Sequence, residues 1–260
     1  MTAYFTSIWR TRYFLLSLVK YDLNTRYRRS ILGIGWSLLQ PIGMTIVLCT
    51  VFHRLFALDI REFGPFLLAG LAFWGYFTNS VLTGCQCFFQ ADAYMRQYPA
   101  PPAIYPLRAT LGSMFHLFMA LGIVLILSWI MKGFENLPVL VSLVPTLVLL
   151  LVFGWSVATL AALANTHFPD SQHLVDLALQ ALFYMTPIIY PPEILQSKGL
   201  GWLIAWNPIS SILELVREPI LHAKLPSVSA VGTSIGLVAV LFSVASVALY
   251  RLQRQLVFRL

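Results

Sequence analysis

Five stretches of this chain carry no Lys, Arg, Asp or Glu: residues 34–52, 63–89, 109–131, 136–169 and 226–250. A helix on the surface of a soluble core keeps a polar face toward water and places charge on it. Runs of this length without charge suit hydrocarbon, which a helix crosses with roughly 20 apolar residues. With 58% hydrophobic and 10% charged residues over 260 positions, the chain has no room for a separate soluble domain. The fold class that follows is an all-α polytopic membrane protein.

The pattern predicts six transmembrane helices, at about 33–56, 63–89, 109–131, 137–165, 174–190 and 227–250. The fifth is interrupted by Asp176 and Pro187. Basic residues test the count, because cytoplasmic segments hold the excess of Lys and Arg. With six spans and an internal N-terminus, eleven fall inside (Arg10, Arg12, Lys20, Arg26, Arg28, Arg29, Arg96, Arg108, Arg251, Arg254, Arg259). Six fall outside (Arg54, Arg61, Lys132, Lys198, Arg217, Lys224). An odd count would put the basic C-terminus outside, so both termini are expected in the cytoplasm. The +7 net charge is then a matter of topology and anionic lipid, not of nucleic acid.

Residues 1–30 form their own region, an amphipathic helix in the membrane interface, with Phe5, Ile8, Trp9, Leu15, Leu16, Val19 and Leu23 on one face. The transmembrane domain then covers 31–253, and 254–260 is a cytoplasmic tail. Pro99, Pro101, Pro102 and Pro106 predict a stiff connection between the second and third spans. The apolar piece 200–213 is too short to cross and holds Asn207-Pro208, which predicts a re-entrant segment between spans five and six. No cleavable signal peptide is expected. Cys85 and Cys87, two apart on a helix, point to different faces; with Cys49 they read as apolar filler.

No phosphate-cradling GxxxxGK[ST], HExxH or GxSxG occurs, so no catalytic, cofactor or metal residue is assigned. The spans hold few of the ionisable groups that ion-coupled carriers use; His116 reads as an interhelical hydrogen bonder. Gln40, Tyr76, Phe77, Asn79 and Thr83 are candidates for lining a conduit, polar tips and ring faces suiting a hydroxyl-rich cargo; packing between helices is their other use.

The segment 22–52 resembles the opening of the ABC-2 type permeases that export polysaccharides. An acid, a basic RYR-like patch, an LGxxW turn and a Gln-Pro stand here as Asp22, Arg26, Tyr27, Arg28, Leu32, Gly33, Trp36, Gln40 and Pro41. HFPDSQHLVDLALQALFYMTPIIYPPEIL (167–195) resembles the family's cytoplasmic connection and the "sPiiYp" end of span five. WNPISSILELVRE (206–218) resembles its Asn-Pro with a downstream arginine. Thr186 stands where serine is common, and Phe168-Pro169-Asp170 where Arg-Asp or Phe-Arg-Asp is frequent.

The resemblance implies a homodimeric transmembrane subunit in a bacterial inner membrane. Two copies of a separate ABC ATPase subunit would carry the ATP and Mg, and a lipid-linked polysaccharide (O-antigen, capsule or teichoic acid) would be the cargo. It implies ATPase contacts through Arg10, Arg12, Asp22, Arg26, Arg28, Phe168, Asp170 and Gln172, and an outer re-entrant segment with Asn207, Pro208 and Arg217. A drug or lipid efflux permease of the same superfamily is the near alternative. A polyprenyl-linked membrane transferase is the distant one; its divalent metal would need gathered acids, and Asp22, Asp92, Asp170 and Asp176 are scattered.

Overall fold

The computed structural model describes residues 2–28, 30, 33–56, 59–97, 100–133, 137–199 and 201–259. Arg29, Leu32 and Pro99 lie outside the described residues. Eleven α-helices follow one another among the described residues, and no strand is present among them. They are α1 (Thr2–Arg10), α2 (Arg12–Tyr27), α3 (Trp36–Phe56), α4 (Ile60–Gln97), α5 (Ile104–Lys132), α6 (Leu143–His167), α7 (Ser171–Met185), α8 (Pro192–Ser197), α9 (Gly201–Trp206), α10 (Pro208–Arg217) and α11 (Val228–Arg259).

Among the described residues, five helical segments are long and apolar enough to cross a membrane: Trp36–Leu55, Ile60–Gln97, Ile104–Met131, Pro138–His167 and Val228–Gln253. The remaining predicted span, 174–190, is not among them. Its helix α7 has 15 residues, about 22 Å at 1.5 Å per residue, against a hydrocarbon core of about 30 Å. Pro187 explains where it stops: a residue before proline is pushed to extended backbone, and Thr186 sits at φ −99°, ψ 137°.

The predicted proline connection is shorter than its four prolines suggest. Helix α4 continues to Gln97, and α5 already begins at Ile104. Pro106 is the third residue of α5, where the missing N–H had no intrahelical acceptor to lose. Pro145 lies likewise in the first turn of α6, behind a 3-10 lead-in at Leu137–Ser142.

Helix α4 is the axis of the bundle; 56% of its apolar window is buried, against 11% for α3. It packs against α5, α6 and α3, and its contact with α6 is close enough to require a glycine. A Cβ on Gly84 would lie 2.6 Å from the Ala158 Cα. A large apolar cluster runs along α4, α5 and α6 and under α10, with Phe73, Leu117, Leu150, Phe153 and Ile212 fully buried. A second cluster closes the end of the bundle that carries α2. There Leu15 meets Phe88, Ile104, Tyr105, Leu163 and Leu256.

The N-terminal region is two helices, not one. The Thr11 hydroxyl donates back to the Ser7 and Ile8 carbonyls at the break, at 3.1 and 3.0 Å. Its apolar residues also divide between two faces: Leu15 and Leu18 are buried against the bundle, while Trp9, Tyr13, Leu16 and Tyr21 are exposed. Adjacent helical positions are about 100° apart, so Leu15 and Leu16 cannot share one narrow face.

Candidate functional site

Three groups of candidate residues are placed by this bundle: a cavity on its sparsely packed side, a corner between α6 and α7, and a buried arginine at the opposite end.

The cavity has a volume of about 520 Å³ and opens between α3 and α7, with α4 and α5 as its wall. Helix α3 offers Ser37 and Gln40 and α7 offers Asp176 and Gln180, each pair at helical spacing, and α4 offers the adjacent Thr78 and Asn79. Arg26 at the end of α2 and His116 of α5 also line it. Toward α8–α10 the wall turns aromatic, with Trp74, Phe183 and Tyr184. Of the predicted conduit residues, the structure therefore brings Gln40, Tyr76 and Asn79 to one cavity.

Tyr76 reaches it only in part. Its ring is buried and its hydroxyl donates to the Leu150 carbonyl of α6 at 2.5 Å, so its polar tip is engaged between helices. Phe77 points elsewhere, stacked on Phe153 with ring centroids 5.3 Å apart. It lines a second, apolar groove of about 330 Å³ shared with Leu182, Trp202 and Leu241. The Thr83 hydroxyl donates to the Asn79 carbonyl one turn back, and Thr83 does not line the cavity. Asp176, Gln180 and His116 are lining residues that the conduit assignment omitted. His116 has no hydrogen bond at Nδ1; it meets Tyr27 and Phe115 edge-on.

The corner between α6 and α7 is tied to α4 by carboxamides. Asn165 donates from Nδ2 to the Cys85 carbonyl at 2.8 Å, and Gln86 donates to Gln172. The Ser171 hydroxyl donates to the Phe168 carbonyl at 2.6 Å, which closes the turn. Phe168 and Asp170 are left exposed on its outside, Phe168 at 72%. At the same end, Arg12 lies over the rings of Trp9 and Tyr13, 4.9 and 4.4 Å from their centroids. Arg10 and Arg28 are exposed. Asp22 is engaged within the chain: Arg108 of α5 grips it with two hydrogen bonds, the Nε one at 2.5 Å. That forked pair fixes α2 on α5.

At the opposite end, Arg217 is 5% exposed, and among the described residues no carboxylate pairs with it. Its guanidinium donates to three carbonyls: Pro187 at 2.5 Å, Ile188 at 3.1 Å and Phe66 at 3.1 Å. It also lies over the Phe66 ring, 3.6 Å from the centroid. A Cβ on Gly70 would overlap this guanidinium. Asn207 caps α10 by accepting from the Ile209 N–H at 3.0 Å, and it donates to the Thr186 hydroxyl at 2.8 Å. Pro208 takes the first helical position. Arg217 and Asn207 thus hold the broken end of α7 against α4 and α10. All three cysteines are free and buried.

Residues 13–221 match the model of a family described as ABC-2 type transporter. An O-antigen export system permease protein, RfbA, of Myxococcus xanthus is 27% identical over 221 residues, 84% of each chain. Its namesake from Klebsiella pneumoniae is 22% identical over 211 residues, 81% of each. The polysialic acid transport protein KpsM of Escherichia coli is 25% identical over 243 residues, 90% of this chain and 91% of the relative.

Proposed function

The chain belongs to the ABC-2 type transporter family, and from that premise we propose that it is the membrane-embedded permease subunit of an ATP-driven exporter of lipid-linked polysaccharide in a bacterial inner membrane. Two copies form the conduit. Two copies of a separate ATPase subunit, which hold the ATP and Mg, drive it from the end that carries α1, α2 and Phe168–Gln172. In this reading both termini are cytoplasmic, α7 with Thr186–Tyr190 makes a short sixth crossing, and α8–α10 form a re-entrant segment at the outer face. Relatives named for O-antigen export and polysialic acid transport support a long glycan as cargo.

The observation that carries this reading is the cavity between α3 and α7. Lipid cannot satisfy carboxamides and a carboxylate, and polar groups in a bundle turn toward protein or water. Helix α3 is the least buried of the long helices, and α7 is too short to screen the opening alone. A second copy apposed at α3 and α7 covers the polar wall and leaves a hydrated path between the two.

The test is to co-express the chain with an ABC ATPase subunit from the same organism. The isolated chain is expected to hydrolyse no ATP and to co-purify with that ATPase. Met44→Cys or Tyr184→Cys, in a background without the three native cysteines, is expected to cross-link copy to copy. Hydrolysis by the chain alone, or cross-links confined to exposed α11 positions such as Val240, would overturn it.

A further inference from the structure

Among the described residues, Asp176 is the only acid on the cavity wall. It is the sixth residue of α7, more than one turn beyond the helix start, where the favourable interaction of an acid with the helix dipole has faded. No ion pair joins it to Arg26, the other charged lining residue. Its carboxylate accepts one long hydrogen bond, 3.5 Å from Gln180 Nε2 of the next turn. The side chain is otherwise exposed, on the same face of α7 as Leu179, Gln180 and Phe183, all of which line the cavity. An ionisable group in a membrane helix is costly to keep without a task. Here neither a salt bridge nor a cap supplies one.

We infer that Asp176 sets the charge class of the glycan, favouring an uncharged polymer over a polyanionic one; this rests on the glycan-conduit reading above. The family does not decide this point, since the relatives include a transporter named for polysialic acid, a polyanion. Apart from Arg26 and Asp176, the polar lining is neutral: Gln40, Asn79 and Gln180 offer both donors and acceptors, which suit sugar hydroxyls. A carboxylate among them still accepts from hydroxyls, so a neutral glycan loses nothing. A polymer with an acid on each unit meets like charge with low-dielectric protein behind it, where water screens poorly. Arg26 lines the same cavity, but no ion pair ties it to Asp176, whose carboxylate is left free toward the cargo in each copy.

The experiment compares two probes with one backbone, dextran and carboxymethyl-dextran oligomers of equal length. Binding to the full chain in nanodiscs is read by fluorescence anisotropy at low and high salt. Wild type is expected to bind the neutral oligomer more tightly, by on the order of tenfold at low salt, with the gap narrowing as salt rises. Asp176→Asn is expected to close most of the gap and Asp176→Lys to reverse it. Equal or tighter binding of the anionic oligomer by wild type overturns the inference, as does a ratio that Asp176→Asn leaves unchanged. If neither oligomer binds wild type or variants, the conduit reading itself falls and takes this inference with it.

Discussion

Replacing Arg217 by leucine keeps volume in the core and removes the clamp. Of its three acceptors, the Phe66 carbonyl lies within α4 and has a helical partner available, whereas the Pro187 and Ile188 carbonyls lie in the irregular turn beyond α7. Two carbonyls are therefore orphaned, at about 1–3 kcal/mol each. Loss of the stacking on Phe66 adds about 1–2 kcal/mol. Against this, a buried cation no longer has to be desolvated, which returns several kcal/mol. The balance is a net destabilisation of a few kcal/mol at most, each kcal/mol lowering the midpoint by roughly 2–4 °C for a chain of this size. Lysine is expected to do no better, because one ammonium on a flexible stem cannot bridge carbonyls from two segments and stack on a ring. The assay is thermal unfolding in nanodiscs, followed by tryptophan fluorescence, with limited proteolysis around Tyr190–Lys198 as the local readout. A lysine variant as stable as wild type, or a leucine variant with unchanged midpoint and unchanged proteolysis, would refute the clamp.

Charge exchange tests the tie between α2 and α5: Asp22→Arg and Arg108→Asp should each lower ATPase-coupled export, and the double exchange should restore part of it. Independent losses that simply add would show that the pair does not act as a unit. Gly84→Leu should prevent assembly of a folded bundle, seen as loss of the monodisperse peak in detergent, because the Ala158 backbone leaves no room for a side chain. Tyr76→Phe should cost about 1 kcal/mol in stability through loss of the hydrogen bond that ties α4 to the Leu150 carbonyl of α6, while export per folded protein holds; unchanged stability would place the hydroxyl in the conduit instead. Asn165→Ala should leave folding nearly intact but raise ATP hydrolysis relative to glycan exported, since the corner loses its bond to α4; an unchanged ratio would remove Asn165 from the coupling path.

The uncharged runs predicted the long helices well because hydrocarbon selects on charge over a whole window. They predicted helix ends less well, since a helix does not stop where the bilayer does. Helix α4 passes Asp92 and Arg96, which pair at i, i+4 with 2.7 Å between them, and so carries a solvated extra turn or two. In 174–190 the error had the opposite sign: apolarity persists to Tyr190, but Pro187 ends the helix at Met185 whatever the hydropathy. The cap at Asn207-Pro208 is readable from its residue types, since asparagine and proline favour the cap and the first position. The partner of Asp22 is not readable, because Arg108 lies 86 residues away and nothing local in the sequence points to it.

The neutral polar residues within the helices sort by a rule that the sequence does contain. A serine or threonine hydroxyl can reach the carbonyl of its own preceding turn. Thr45, Thr83, Thr110, Ser156, Thr159 and Thr166 all do so, and such a residue is satisfied without a neighbour, so its presence in a span marks nothing. A carboxamide has two donors and an acceptor, more than its own turn has free. It must find another helix or a hydrated cavity. Gln86, Asn165 and Asn207 find other segments, and each lies at a joint of the bundle. Gln40, Asn79 and Gln180 line the cavity between α3 and α7. Gln40 and Asn79 line that cavity and Thr83 does not, for the same reason: only a group that its own helix cannot satisfy is evidence of what lies beside it.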